Sequence, residues 1–149
     1  MTAEVCPEFV SISDQQSELA HNFLEYVEGL GMSGEVVVGG VRFEKDGANF
    51  YRFFFPNRPR FSMFVLPFSH PADDEEERLR IIDAANKANE RVRGAKIGFA
   101  DEVLIVSLEL LFAAEVELCL HLEQILECLW AGHIAFASEL VRCADKELS

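Results

Sequence analysis

The chain has 149 residues, a length typical of one domain. Half of its residues are hydrophobic and 26% are charged, a composition that excludes a disordered or low-complexity chain. Its formal net charge is −13, so most of its surface repels nucleic acids and anionic membranes. We therefore expect one folded domain over residues 1–149, with residues 1–12 as a loose N-terminal segment.

The N-terminus has no basic stretch followed by a long apolar run, so we expect no secretory signal. The apolar stretches elsewhere are interrupted well before the length that a membrane helix needs. The four cysteines show no spacing typical of a disulfide framework. We therefore expect a cytoplasmic protein that has no membrane contact and whose cysteines remain reduced.

Hydrophobic periodicity predicts three helices and five strands in chain order. Asp46 and Gly47 predict a hairpin turn between the first two strands. The order α-β-β-β-α-β-β-α indicates an α+β fold, in which helices pack on an antiparallel sheet. The helices are expected over residues 13–30, 71–93 and 114–143, and the strands near 35–44, 48–55, 60–67, 95–99 and 103–111.

Two patterns resemble cofactor or metal motifs but lack the necessary context. The glycines of residues 29–34 have G-x-G-x-x-G spacing, yet a predicted helix precedes them and a strand follows, the reverse of a dinucleotide-binding site. His121 and Cys128 lie seven residues apart, without the closely spaced Cys or His pairs of structural zinc sites. We expect no enzyme activity, no cofactor and no metal, and we assign no catalytic residue.

Phenylalanines are concentrated in the predicted strands between residues 43 and 68, which contain eight of the thirteen. Because side chains alternate across a strand, both faces of these strands are largely apolar. Helices cover one face, and the other is covered by further helices, by a second copy or by a partner protein. The stretch is also locally basic, which favours acidic partner segments. The candidate residues for binding a partner or peptide are Arg52, Phe53, Phe55, Arg58, Arg60, Phe64 and Leu66.

The last predicted helix carries two neighbouring apolar stripes. Together they are wider than a helix buried on one side requires. We therefore expect this helix to pack both on its own sheet and on a second chain, in a homodimer. The candidate residues for the dimer interface are Cys119, Leu126, Trp130, Ile134 and Val141.

The segment Ile81–Asn89, the basic stretch Arg91–Lys96 and the strand Val103–Leu111 resemble the YbjN family, whose members are described as bacterial sensory transduction regulators. The order of elements is similar to the type III secretion (Tir) chaperone fold. The resemblance implies a homodimer that binds protein segments and has no enzyme activity. Asn86 and Asn89 match its pattern, and we expect them to satisfy backbone groups of the following hairpin.

The sequence therefore predicts a non-enzymatic, homodimeric, chaperone-like protein that captures a partner protein or an extended peptide segment. The alternative is a regulatory protein of bacterial signal transduction that acts through a protein partner. Two weaker alternatives remain. The basic aromatic strands could bind single-stranded nucleic acid, against the negative net charge, and a pocket around His121 could make the protein an enzyme.

Overall fold

The computed structural model describes residues 7–68 and 72–148 of the chain. It contains four helices and six strands in the order α-β-β-β-β-α-β-β-α-α. The elements are α1 (Pro7–Gly29), β1 (Ser33–Val37), β2 (Gly40–Lys45), β3 (Ala48–Phe54), β4 (Phe61–Phe68), α2 (Glu75–Arg91), β5 (Lys96–Ala100), β6 (Val103–Leu111), α3 (Glu115–Leu120) and α4 (Leu122–Leu148).

All six strands form one sheet in the order β1-β2-β3-β4-β6-β5. Every neighbouring pair in this sheet is antiparallel. The chain leaves β4 through α2, forms the edge strand β5, and returns through β6 to pair with β4. The predicted α+β class and antiparallel sheet are therefore confirmed.

The strand predicted over residues 35–44 is in fact two strands, β1 and β2, joined at Val38 and Gly39. Gly39 has a φ of +82°, a backbone conformation that glycine adopts without steric cost. Gly40 begins β2 so close to β3 that a Cβ atom there would lie 1.9 Å from the backbone oxygen of Arg52. The glycine pair thus allows the chain to turn and to pair tightly, and the sheet has six strands instead of five.

Several helix boundaries differ from the prediction, including the end of the last helix, which lies at Leu148 instead of residue 143. Helix α1 begins at Pro7, so residues 7–12 of the predicted loose segment are helical, and residues 1–6 lie outside the described residues. Helix α2 begins later than predicted, after Asp74, whose carboxylate accepts a hydrogen bond of 2.8 Å from the amide of Glu77. The predicted last helix is divided at His121 into α3 and α4.

Helices α1 and α4 pack on the same face of the sheet. The ring of Phe23 in α1 makes edge-on contacts with Phe43 and Phe64, at centroid distances of 5.5 and 6.2 Å. Helix α4 approaches β6 through Gly132, where a Cβ atom would lie 2.7 Å from Cγ1 of Val106. The register pairs Phe43 with Phe50 and Leu66 with Val106, and these side chains belong to one buried cluster.

Helices α2 and α3 also reach this face. The guanidinium of Arg78 in α2 lies 4.4 Å from the ring centre of Phe99 in β5, and Glu115 in α3 binds Arg52 in β3. Among the described residues, every helix therefore lies on one side of the sheet. The alternative that helices cover both faces is not what the structure shows. No helix in the described ranges combines the length and the apolar character that a bilayer span requires.

Candidate protein-binding surfaces

The sheet surface that no described helix covers is named here the open face. Its centre consists of Tyr51 and Phe53 in β3 and, opposite them across the strand pair, Val65 and Met63 in β4. The rings of Tyr51 and Phe53 are nearly parallel, with centroids 5.8 Å apart. Val65 is buried among its neighbours, whereas the other three side chains are half-buried. This face therefore presents large apolar side chains to solvent.

One end of the open face combines aromatic rings with free cations. The rings of Phe55 and Phe61 meet edge-on at a centroid distance of 5.0 Å. Phe61 pairs in register with Leu111, whose side chain is 71% exposed. The guanidinium of Arg58 lies 4.8 Å from the ring centre of Phe61. Arg58 and Arg60 are both exposed and form no ion pair with a described carboxylate, so this end is basic and apolar.

The structure separates the seven predicted partner-binding residues into two groups. Phe53 and Phe55 lie on the open face, and Arg58 and Arg60 lie in the loop beside it. Arg52, Phe64 and Leu66 are buried beneath the helices, so the prediction is wrong for these three. The reason is the register, which pairs Arg52 with Phe64 and therefore places both on the helix-covered face. Alternation within one strand does not reveal which face the helices cover.

Arg52 is held in an aromatic cage instead of steering a partner. Its guanidinium donates hydrogen bonds of 2.5 and 2.8 Å to the two carboxylate oxygens of Glu115, and its Nε donates to Ser62 Oγ at 3.0 Å. The ring centres of Phe23 and Phe54 lie 4.6 and 4.4 Å from the guanidinium carbon. Arg52 therefore binds α3 to the middle of the sheet. Glu115 lies 63 residues further along the chain, and no sequence pattern linked the two.

A second exposed apolar surface lies on α4, where three of the predicted dimer residues are found. Trp130, Ile134 and Val141 are 44%, 54% and 61% exposed. Leu126 is 3% exposed and contributes a wall to a groove instead of projecting from the surface, so its assignment to an interface stays a prediction. Cys119 is half-buried in α3. The helix is interrupted at His121, yet the buried side chains of Leu118 in α3 and Leu122 in α4 continue one of the predicted stripes across the break.

Beside Trp130, a groove of about 480 Å³ separates α4 from the turn between β2 and β3. Phe50, Leu126, Trp130 and Ile134 provide its apolar walls, and Lys45 with Asp46 forms its polar end. Glu123 and Glu127 also line the groove, which therefore carries four charged side chains. Within the described ranges, no three His, Cys, Asp or Glu side chains converge so as to hold a metal ion.

His133 lies on the inner side of Trp130. Its ring meets Phe68 at 4.5 Å and Trp130 at 5.4 Å between centroids. Its Nδ1 atom is buried and has no hydrogen-bond partner among the described residues. Burial disfavours the charged imidazolium and lowers the pKa of His133 below 6.5. His133 is therefore a neutral packing residue at neutral pH.

Cys119 contacts the carboxylate that binds Arg52. Its Sγ lies 3.8 Å from Oε2 of Glu115. Burial, followed by the negative charge of Glu115, raises the pKa of the Cys119 thiol to about 11. Cys119 is thus a protonated, unreactive thiol at neutral pH.

Asn89 binds the backbone of Ile97 in the edge strand β5. Its side-chain amide donates to the backbone oxygen of Ile97 at 2.9 Å and accepts from the backbone nitrogen of Ile97 at 2.7 Å. These are the two groups through which an edge strand binds another strand. The expected backbone role is confirmed for Asn89, although its target is strand β5 rather than a turn. Asn86 is exposed.

The geometry of the two surfaces does not by itself identify a function, because one fold can carry many functions. Comparison with protein-family models, with curated proteins and with solved structures gave no match. The similarity to the YbjN family and to the type III secretion chaperone fold therefore stays a prediction.

Proposed function

We propose that this protein is a non-enzymatic, homodimeric, chaperone-like protein that captures an extended segment of a partner protein on its open face. The observation that supports the proposal is the one-sided sheet, whose open face presents Tyr51, Phe53 and Met63 partly to solvent. Contiguous exposed apolar surface is typical of interaction sites. The resemblance to the YbjN family also supports the proposal and favours action in the bacterial cytoplasm through a protein partner.

The charge at one end of the open face favours one kind of partner segment. Arg58 and Arg60 stand free at one end of the open face, in a chain whose net charge is −13. A segment with apolar residues along the sheet and acidic residues at the arginine end meets attraction there and little repulsion from the apolar centre. A basic segment is repelled at the same end. We infer that the preferred partner segment is apolar and ends in an acidic stretch.

The experiment uses short labelled peptides in which valine alternates with threonine, ending either in three glutamates or in three lysines. Fluorescence anisotropy measures their binding to the full-length protein. We expect saturable binding of the acidic peptide and an affinity for the basic peptide at least about tenfold lower. Replacing both Arg58 and Arg60 by glutamate should reverse this preference. An equal affinity for both peptides would contradict the role of the arginines.

A second comparison locates the site. Phe53→Asp places a charge at the centre of the open face, and we expect it to abolish binding of the acidic peptide. Leu79→Asp is the matched control, because Leu79 is an exposed apolar side chain on α2 and not on the sheet. Unchanged binding by Phe53→Asp, or no saturable binding of either peptide by the unaltered protein, would refute the proposal.

A further inference from the structure

The exposed apolar residues of α4 follow the spacing of a coiled coil. Residues 130, 134, 137, 141 and 144 alternate steps of four and three, which is the repeat of positions that face a partner helix. All five side chains are exposed. They are named here the α4 seam, and at 1.5 Å per residue the seam is about 21 Å long. Its members are Trp130, Ile134, Ala137, Val141 and Ala144.

We propose that the α4 seam packs antiparallel against the α4 seam of a second copy of this chain. The inference rests on the proposed function, because it names the surface that forms the homodimer. It leaves the open face available for the partner segment, since α4 lies on the opposite side of the sheet. A dimer of this kind therefore presents two open faces.

The distribution of charge favours a second copy at this position. A chain with a net charge of −13 repels its own copies over most of its surface. Residues 128–138, however, contain no Asp, Glu, Lys or Arg, although 26% of the chain is charged. Two acidic copies meet the least repulsion along this uncharged middle of α4.

Charge is compatible with the antiparallel direction. Glu123 and Glu127 are exposed in the first half of α4, whereas the second half exposes Arg142, which pairs with Glu139, and Asp145. A parallel pair would place each glutamate beside the same glutamate of the other helix. An antiparallel pair places Glu127 opposite Ala144, near both Arg142 and Asp145 of the second copy, so identical charges no longer face each other, and it aligns the two helix dipoles favourably.

Side-chain size is complementary in the antiparallel arrangement. With the twofold axis between Ile134 and Ala137, the isoleucine of one helix faces the alanine of the other. Trp130 then faces Val141, so each large side chain meets a smaller one. Alternation of large and small side chains allows two helices to pack at the usual distance of about 8–10 Å. The groove of about 480 Å³ beside Trp130 lies where the end of the second α4 arrives.

The protein contains one tryptophan, which makes Trp130 a specific reporter of this contact. Light scattering during size-exclusion chromatography gives the mass, while emission and iodide quenching of Trp130 are recorded over a dilution series. We expect a dimer whose Trp130 is blue-shifted and protected from iodide, with both signals lost as the dimer dissociates. A dimer with an unprotected Trp130 would overturn the seam but not the homodimer of the proposed function. A protein that stays monomeric at high concentration would overturn both the seam and the homodimer. The same result is expected if the seam binds a different protein.

Two substitutions test the packing and its direction. Ile134→Asp buries a charge in the seam and should raise the dimer dissociation constant at least about 100-fold. Leu79→Asp on α2 should leave it unchanged, and circular dichroism verifies that both variants fold. Glu127→Gln should leave the dissociation constant of an antiparallel dimer almost unchanged, because Glu127 then lies near both Arg142 and Asp145. The same change would tighten a parallel dimer by removing a repulsion, and that result would overturn the antiparallel arrangement.

Discussion

Arg52 and Glu115 form a doubly hydrogen-bonded ion pair between the middle of the sheet and the first turn of α3. The side chain of Arg52 is 1% exposed, whereas that of Glu115 is 33% exposed. The two partners therefore differ in what happens when the other is removed. A lone Glu115 can turn towards water, but a lone Arg52 remains charged beneath the helices.

Glu115→Ala should consequently destabilise the protein more than Arg52→Met does. We expect a loss of about 3 kcal/mol in the free energy of unfolding for Glu115→Ala and about 1 kcal/mol for Arg52→Met. The double variant should resemble Arg52→Met alone, because it contains no unpaired buried charge. Urea denaturation measures all three. Equal and additive losses would show that the pair does not carry the energy assigned to it.

The hydrogen bonds between Asn89 and Ile97 predict that substitution of Asn89 and of Asn86 will affect the free energy of unfolding differently. Asn89→Ala removes both bonds to Ile97 and should lower the free energy of unfolding by about 1–3 kcal/mol. Asn86→Ala changes an exposed side chain on the same helix and should stay within about 0.5 kcal/mol of the parent. Thermal unfolding compares the two. A similar effect of both substitutions would contradict the role of Asn89.

His133 predicts a loss of stability in mild acid. Because the pKa of His133 in the folded protein lies below 6.5, the unfolded chain binds this proton at higher pH than the folded protein does. His133 therefore does not reduce the free energy of unfolding above pH 6.5. Below that value the free energy of unfolding decreases as the pH falls, until His133 is also protonated in the folded protein.

His133→Phe retains an aromatic ring between Phe68 and Trp130 but removes the titrating group. We expect its unfolding free energy to decrease less than that of the parent when the pH is lowered from about 7 to about 5. Near pH 8 the two proteins should show the same pH dependence. If the free energies of unfolding of the two proteins decreased equally over the whole acid range, the loss of stability would arise from groups other than His133.

The raised pKa of Cys119 predicts selective alkylation. With a pKa of about 11, roughly one Cys119 thiol in a thousand is ionised at pH 8. Cys128 is exposed and should react with iodoacetamide well before Cys119. Mass spectrometry of the digested protein follows both sites. Equal rates at the two cysteines would show that α3 does not hold Cys119 against Glu115.

The sequence correctly predicted features that are determined by residues close together in the chain. The turn at Asp46 and Gly47 is confirmed, with φ values of +53° and +81° and with Lys45 paired to Ala48. Alternation along β3 likewise places Phe50, Arg52 and Phe54 on one face, which agrees with their common burial. Such features follow from alternation and from turn residues, which neighbouring positions define.

The features that were missed depend on distant partners. The side on which Phe64 lies is determined by its pairing with Arg52, and the burial of Arg52 is determined by Glu115 in α3. The turn at Gly39 interrupts a run of valines that is equally typical of one long strand. No pattern within a single segment contains this information, because it arises when segments meet.

The two edges of the sheet are unequal, and this limits how copies of the chain can associate through their backbones. Asn89 occupies hydrogen-bonding groups of β5, whereas β1 has no backbone partner other than β2 among the described residues. Val38, in the turn at the end of β1, is 98% exposed. Fibrils grow by adding strands at both edges of a sheet. A strand added at β5 would have to displace Asn89 from Ile97, so a second sheet would join more readily at β1 than at β5.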